Sequence, residues 1–145
     1  MNRKEYYEEM MDKLRQAIEE HNKFGDTNIP HNIACKYNFN QITRFIFDDY
    51  IFIYAFYGLF RDDYSECEIL LKGENLGYIF NYNTKEAIKL KNSKVIDYNT
   101  VDMETYREFG NLIEMALEKR DGNLLDEACS LLEKYFKNKN FYLTF

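Results

Sequence analysis

The sequence predicts an α+β fold, in which one antiparallel meander sheet of five or six strands follows an N-terminal helix and precedes two C-terminal helices. Two observations support this prediction. Apolar residues recur at helical spacing near both ends of the chain, and they alternate at an interval of two through its middle. The 145 residues contain no repeat and no linker, so we expect a single domain, residues 1–145, whose helices cover one face of the sheet or its ends.

Residues 3–24 have the spacing of an amphipathic helix. Apolar residues follow one another at intervals of three or four and share one face: Tyr7, Met11, Leu14 and Ile18. Gly25 comes next, and glycine readily adopts the left-handed conformation in which many helices end. We therefore expect Gly25 to end this helix. The following residues, 26–40, show no clear periodicity and receive no assignment.

A period of two begins at Ile42. β-Branched and aromatic residues dominate from there to Tyr98, and short polar segments such as Asp48-Asp49 divide them, which is typical of strands joined by turns. From Ile88 on, lysines alternate with apolar residues, and we expect that strand to lie at a sheet edge. The predicted strands are residues 42–47, 50–57, 66–71, 76–82 and 87–91, with a short sixth strand at 94–98.

Helical spacing returns after residue 100. Thr100 or Asp102 can cap the first C-terminal helix, because a side-chain oxygen there accepts a hydrogen bond from a free backbone N–H. Residues 121–123 separate this helix from the second one. Residues 141–145 are too apolar for a free tail, so we expect them to pack against the fold. The predicted core includes Phe52, Ile79, Phe109 and Ile113.

The composition disfavours several classes of protein. With 19 basic and 25 acidic side chains the net charge is −6, whereas a nucleic-acid binder needs a basic surface to neutralise phosphates. The most apolar window is residues 50–60. A helix that crosses a membrane needs about 20 apolar residues, so this window is far too short. The N-terminus is charged, so we expect no signal peptide. Three cysteines without a CxxC pair are typical of reduced thiols, and we expect a cytoplasmic protein.

Motifs for catalysis or cofactor binding are weak. His31 and Cys35 lie four residues apart, but a zinc site needs three or four ligands and the sequence offers no third one nearby. A nucleophilic Cys35 with His31 as its base stays open as the basis of a small enzyme. No glycine-rich phosphate loop and no GxSxG segment occurs. We therefore predict no catalytic residue, no metal site and no cofactor.

Acidic residues concentrate between positions 48 and 68, where six carboxylates and Arg61 give a net charge of −5. If the first turn and the next loop share one end of the sheet, these carboxylates form one acidic patch. Such a patch can keep the protein in solution, bind a basic partner, or support metal or acid–base chemistry. The carboxylates are Asp48, Asp49, Asp62, Asp63, Glu66 and Glu68.

Tyrosines accompany these carboxylates. A tyrosine ring offers a large apolar area with a polar tip and is a frequent anchor of protein interfaces, although the same rings can be ordinary core or rim residues. The interleaved tyrosines are Tyr54, Tyr57, Tyr64, Tyr78 and Tyr82. We predict that Tyr64 and Tyr78 contact a protein partner together with the six carboxylates.

Two segments carry a family resemblance. Residues 76–88 read Leu-Gly-Tyr-Ile-Phe-Asn-Tyr-Asn-Thr-Lys-Glu-Ala-Ile, and the helix from Tyr106 to Leu117 bears aromatic residues. Residues 66–118 thereby resemble the SUKH superfamily, the cell-wall-regulator-like group of bacterial toxin-immunity proteins, with its aromatic strand, Asn-Thr-Gly-Glu-Val-like turn and closing helix. Ile29-Pro30 resembles the family's Leu-Pro, although no Asn-Gly follows. The resemblance implies a non-enzymatic binder that masks a toxin domain.

The sequence thus predicts a non-enzymatic protein-binding module, an immunity protein that neutralises a polymorphic toxin through an acidic, tyrosine-rich surface. One alternative is a phage-encoded inhibitor of a bacterial defence protein, which would share the small, acidic character. Another is a small enzyme that uses Cys35 or the carboxylate cluster. The sequence predicts neither the identity of the partner nor the oligomeric state.

The cysteine pattern makes a direct prediction about the redox state. Intact-protein mass spectrometry without reductant should give the mass of the chain with Cys35, Cys67 and Cys129 all as thiols. A mass lower by two hydrogens would reveal a disulfide and contradict the cytoplasmic interpretation.

Overall fold

One antiparallel sheet of seven strands forms the middle layer of the protein, with the strands in the same order as in the chain. A computed structural model describes residues 2–47, 49–58 and 64–137. The strands are β1 (Thr27–Asn28), β2 (Phe39–Ile46), β3 (Tyr50–Tyr57), β4 (Ser65–Lys72), β5 (Leu76–Asn81), β6 (Glu86–Lys91) and β7 (Lys94–Thr100). The helices are α1 (Arg3–His21), α2 (His31–Lys36), α3 (Met103–Lys119) and α4 (Gly122–Glu133).

The α+β class, the antiparallel meander, the N-terminal helix and the two C-terminal helices are confirmed, but the predicted count of five or six strands is wrong. The additional strand is β1, whose two residues pair with Arg44 and Thr43 of β2. The six-residue helix α2 lies in the same unassigned segment. Both elements are too short to show a period, so the sequence pattern did not reveal them.

Asparagines delimit α1 at both ends. The Asn2 side chain accepts a hydrogen bond from the Glu5 backbone N–H at 2.8 Å, which caps the first turn. After His21 the backbone of Asn22 turns into the left-handed region, with φ of 47°. The prediction that Gly25 ends the helix is therefore wrong. Asparagine tolerates this region better than most residues, so the helix ends three residues earlier than the glycine suggests.

The start of α3 agrees with one of the two predicted caps. The Asp102 carboxylate accepts from the Thr105 backbone N–H at 2.8 Å. Asp121 caps α4 in a similar way, through the Asn123 backbone N–H at 2.9 Å. A carboxylate at the start of a helix also interacts favourably with the helix dipole, so both C-terminal helices begin where the sequence places a suitable side chain.

Helices cover both faces of the sheet, so the prediction that they cover one face or its ends is wrong. α1 and α2 pack on one face, and α3 and α4 pack on the other. Neighbouring strand residues such as Phe52 and Ile53 point to opposite faces, and each is only 1% exposed. The interior strands are apolar at both alternating positions, and each of their faces therefore requires a cover.

The predicted core residues are confirmed as buried. Phe52 of β3 and Phe109 and Ile113 of α3 belong to the apolar layer between the sheet and the α3–α4 pair, and Ile79 belongs to the layer between the sheet and α1. The ring centroids of Phe109 and Phe80 lie 4.8 Å apart, which places the aromatic face of α3 directly on β5.

Lys89 shows why the predicted edge position of its strand is wrong. β6 lies between β5 and β7, and the Lys89 side chain is fully buried. Its ammonium group pairs with the Glu133 carboxylate of α4, which also accepts from the Tyr78 hydroxyl at 2.6 Å. A buried charge requires a partner of this kind, so the lysine connects α4 to the sheet instead of marking an edge.

Three further predictions concern the cysteines, the absence of a membrane helix and the packing of residues 141–145. The structure contains all three cysteines as free thiols, of which Cys35 is exposed while Cys67 and Cys129 are buried. None of the helices in the described part of the chain combines the length and the apolar character needed to cross a bilayer. Residues 141–145, which we expect to pack against the fold, lie outside the described residues.

The buried aromatic layer gives a stability prediction with a matched control. Phe109 is completely buried, so Phe109→Ala should lower the free energy of unfolding by about 3–5 kcal/mol. Phe24 is fully exposed, and Phe24→Ala should change it by no more than about 0.5 kcal/mol. Urea unfolding of both variants measures the difference. Equal destabilisation by the two substitutions would show that Phe109 does not pack in the core.

Candidate functional site

The two acidic connections lie at opposite ends of the sheet. Asp49 precedes the first residue of β3, whereas the connection to β4 follows its last residue. Eight residues of strand separate the two ends, a distance of about 26 Å. The condition for a single acidic patch, that both connections share one end of the sheet, is therefore not met, because successive turns of a meander alternate between the two ends of the sheet. Asp48, Asp62 and Asp63 lie outside the described residues.

Asp49 lies near cationic residues. It borders a cavity of about 330 Å³ that Lys119 and Arg120 also line, where α3 is connected to α4. Arg120 is itself paired with Asp26 at 2.9 Å. The exposed Asp49 carboxylate thus faces a mixed surface, and it does not add to the acidic character of the other sheet end.

Glu66 and Glu68 lie together at the far end of the sheet. They stand two positions apart on β4, so their side chains share the face that carries α3, while Cys67 between them is buried on the opposite face. Tyr54 lies directly opposite Glu68 in the strand register. We call this group and its neighbours the acidic tyrosine surface. Its members are Tyr54, Tyr64, Glu66, Glu68 and Tyr82.

Hydroxyl groups of two tyrosines contact the two carboxylates. The Tyr54 hydroxyl donates to Glu66, and the Tyr82 hydroxyl donates to Glu68. The backbone supports this arrangement, since the Tyr82 N–H donates to the Glu66 carbonyl at 2.9 Å. Glu68 is only 7% exposed, whereas the other four members of the acidic tyrosine surface are half-buried. The surface therefore has a buried carboxylate as its floor and partly exposed rings around it.

Aromatic packing holds these rings in place. The Tyr82 centroid lies 5.5 Å from that of Tyr106 on α3. The Tyr64 centroid lies 5.8 Å from that of Phe56 on β3. Edge-on and tilted contacts of this kind stabilise the rings beyond their apolar burial. Tyr64 and Tyr82 are consequently presented from packed positions, which lowers the entropy lost when a partner contacts them.

The environment of Glu68 favours its protonated form. Burial raises the pKa of this carboxyl group to about 7, and the charge of Glu66 adds to the rise, while the hydrogen bond from Tyr82 opposes it. Burial and the adjacent carboxylates also raise the pKa of Tyr54 and of Tyr82 above the usual range. Both tyrosines are therefore neutral hydrogen-bond donors at physiological pH.

In residues 2–47, 49–58 and 64–137, no lysine or arginine lies within ion-pair distance of Glu66 or Glu68. A cation close to this region is Lys85, whose Nζ lies 5.3 Å from the centroid of Tyr106. Paired carboxylates attract a cation, and the faces of tyrosine rings do so as well. The arrangement is chemically suited to receive a guanidinium or ammonium group.

Tyr78, a predicted partner-binding residue, is not part of this surface. Its side chain is fully buried beneath α4, where the hydroxyl donates to Glu133 and the ring centroid lies 6.1 Å from that of Phe136. The expectation that Tyr78 is a surface anchor is wrong, because β5 is an interior strand and this side chain points into the covered face. Tyr54 and Tyr82 lie on the acidic tyrosine surface instead, and their positions follow from strand register, which the sequence does not show.

The alternative of a small enzyme with a nucleophilic Cys35 concerns α2, which carries both Cys35 and His31. The Cys35 Sγ lies 3.2 Å from His31 Nε2, as expected for residues four apart on one helical turn, and both are exposed. The other thiols are unreactive in character, since burial raises the pKa of Cys129 to about 12 and raises that of Cys67 further. Among the described residues, no three His, Cys, Asp or Glu side chains are grouped to hold a metal ion.

No family model, no curated protein and no solved structure matches this chain.

The raised pKa of Glu68 predicts a specific pH dependence of stability. Between the ordinary carboxyl pKa of 4.5 and about 7, the unfolded chain has lost this proton while the folded chain retains it. The contribution of Glu68 to the free energy of unfolding therefore falls as the pH rises through this window, by roughly 3 kcal/mol, and is constant above it. In Glu68→Gln this fall should be absent.

Urea unfolding at pH 5 and pH 8 measures the effect. Glu74→Gln, which removes an exposed carboxylate in the β4–β5 turn, serves as the control and should keep the pH dependence of the unaltered protein. If Glu68→Gln and the unaltered protein lose the same stability between the two pH values, Glu68 is ionised throughout and the assignment is wrong.

Proposed function

We propose that this protein is a non-enzymatic protein-binding module that binds a basic partner through the acidic tyrosine surface. The observation that supports the proposal most is the pair Glu66 and Glu68, which lie side by side among tyrosine rings without a cation from the described part of the chain. A surface of this composition selects a partner by charge and holds it by ring contacts.

An arginine or lysine side chain of the partner fits this chemistry. Its charge would stabilise the ionised form of Glu68, which is otherwise disfavoured by burial and by Glu66. The rings of Tyr64 and Tyr82 would add apolar area and cation–π attraction. Guanidinium is the better match of the two cations, because its planar fork can bind a carboxylate through two hydrogen bonds while it stacks on a ring.

The class of partner that we propose is a bacterial toxin domain, which this protein would neutralise in the cytoplasm as an immunity protein. This part of the proposal is based on the resemblance of residues 66–118 to the SUKH superfamily and on the acidic character of the chain. An immunity protein must bind its toxin rapidly. Clustered acidic charge serves that purpose because it accelerates the encounter with a basic surface.

Stopped-flow binding to the protein encoded by the neighbouring gene tests the proposal. Glu66→Gln should slow association about threefold at low salt, and the difference should shrink at physiological salt, where the screening length is about 8 Å. Tyr64→Ala should instead accelerate dissociation about tenfold, because it removes a packed ring from the contact. If expression of this neighbouring protein inhibits growth, co-expression of the two proteins should relieve the inhibition.

Glu74→Gln provides a charge-matched control. It removes the same charge from the opposite end of the sheet, and its association rate should equal that of the unaltered protein. Identical association rates for Glu66→Gln and Glu74→Gln at every salt concentration would contradict the proposed surface. Failure of co-expression to restore growth would contradict the immunity function.

A further inference from the structure

β7 is the last strand of the sheet, and in the described part of the chain no strand lies beside its outer edge. Just after β7, the Val101 N–H donates to the Lys85 carbonyl on the β6 side. Because the N–H groups of successive residues point to opposite sides of a strand, those of Tyr98 and Thr100 point away from β6. Outward N–H groups on a free edge favour pairing with a further strand.

Side chains of β7 itself occupy both of these outward N–H groups. One carboxylate oxygen of Asp97 accepts from the Tyr98 N–H at 2.8 Å. The side-chain oxygen of Asn99 accepts from the Thr100 N–H at 2.9 Å. A strand that approaches β7 must displace both acceptors before its own carbonyls can bond to these N–H groups.

The chain at the end of α4 holds the two side chains in place. The second carboxylate oxygen of Asp97 accepts from the Lys137 N–H at 2.7 Å. The Asn99 side-chain amide donates to the Tyr135 carbonyl at 3.3 Å. Each side chain therefore makes one bond to the edge of β7 and one bond to the segment that follows α4.

Carboxylates have the same arrangement elsewhere along the two edges of the sheet. At the opposite edge, next to β1, one oxygen of Asp26 accepts from the Ile46 N–H at 2.8 Å, and the other pairs with Arg120 at 2.9 Å. On β7, the Glu8 carboxylate of α1 accepts from the Val95 N–H at 2.9 Å. Both edges of the sheet thus have side-chain acceptors on backbone N–H groups that a further strand would use.

The apolar side chains of β7 are of a kind that favours strand pairing. Ile96 is 38% exposed and Tyr98 is 46% exposed. β-Branched and aromatic residues stabilise paired strands through contacts with the neighbouring strand. Two copies of β7 can pair antiparallel about a twofold axis, which places identical strands side by side. A second copy of the chain is therefore a suitable partner for this edge.

We propose that Asp97 and Asn99 block β7 against strand pairing with a second copy of the chain, and that removal of both acceptors turns β7 into a dimerisation edge. This blocking role is independent of the binding of a basic partner. The acidic tyrosine surface lies on β3, β4 and the end of β5, and it shares no residue with β7.

Sedimentation equilibrium of Asp97→Val/Asn99→Val tests the proposal. Valine suits a strand and removes both acceptors, so at high micromolar concentration we expect twice the mass of the unaltered protein. Asp97→Asn/Asn99→Asp is the matched control. It exchanges the two residues, which keeps the net charge and a side-chain oxygen at each position, and it should sediment like the unaltered protein.

Two further measurements separate strand pairing from other effects of the substitutions. Asn99→Val alone leaves the bond between Asp97 and Lys137 intact and opens only the Thr100 N–H, so it should dimerise in part at the same concentration. This variant decides the question if the double variant does not fold. In a half-labelled sample, nuclear magnetic resonance should show contacts between the β7 strands of two copies of the dimeric variant.

Several outcomes would overturn the proposal. One is an Asp97→Val/Asn99→Val variant that folds and keeps the mass of the unaltered protein, and another is an unchanged mass for Asn99→Val. A control variant that doubles in mass would show that the acceptors do not matter. Contacts between copies that avoid β7 in the variant, or that already join β7 strands in the unaltered protein, would likewise contradict the blocking role.

Discussion

The interior strands are apolar on both faces, and the rest of the structure depends on this constraint. A sheet of this kind is stable only when helices cover both of its faces, so α1 and the α3–α4 pair are required together. Few interior positions are left for polar side chains. Those that remain must find partners within the protein, because an unpaired buried polar group is costly.

Glutamates connect the helical layers to the sheet. Glu86 on β6 accepts from the Tyr7 hydroxyl of α1 at 2.9 Å and pairs with Arg3 at 2.9 Å. On the other face Glu133 of α4 pairs with Lys89. Each of these two glutamates therefore has a cation and a tyrosine hydroxyl.

Glu68 differs from these two glutamates in one respect. It has a tyrosine hydroxyl, but no cation within the described residues. The comparison shows how this fold balances a glutamate that serves stability alone. The lack of a cation at Glu68 is the reason why we propose a basic partner for the acidic tyrosine surface.

The spacing of apolar residues along the chain was sufficient to predict the long helices and strands, their order and the core residues Phe52 and Phe109. It could not predict how the elements combine. The ends at which successive turns meet decide whether Asp49 lies near Glu66, and Lys89 has the alternation of an edge residue although it is buried under a helix. Both errors arise because a linear pattern contains no information on which groups from distant parts of the chain cover a strand.

The candidate site was predictable to a similar degree. Glu66, Glu68 and Tyr64 are close in sequence, and a search for clustered charge finds them. Tyr82 joins them only through the pairing of β4 with β5.

The strict sequential order of the strands has a consequence for synthesis on the ribosome. From β2 to β7, neighbouring strands are joined by connections of only two to seven residues, which favours rapid local folding as the chain emerges. The helix α1, in contrast, precedes the strands that cover it, and its Tyr7 contacts Glu86, 79 residues later in the chain. Translation proceeds at about 5–20 residues per second, so several seconds pass before the strands that bury the apolar face of α1 have been synthesised. During that interval the apolar face of α1 is exposed on the nascent chain, which makes this segment prone to aggregation until the strands have been synthesised.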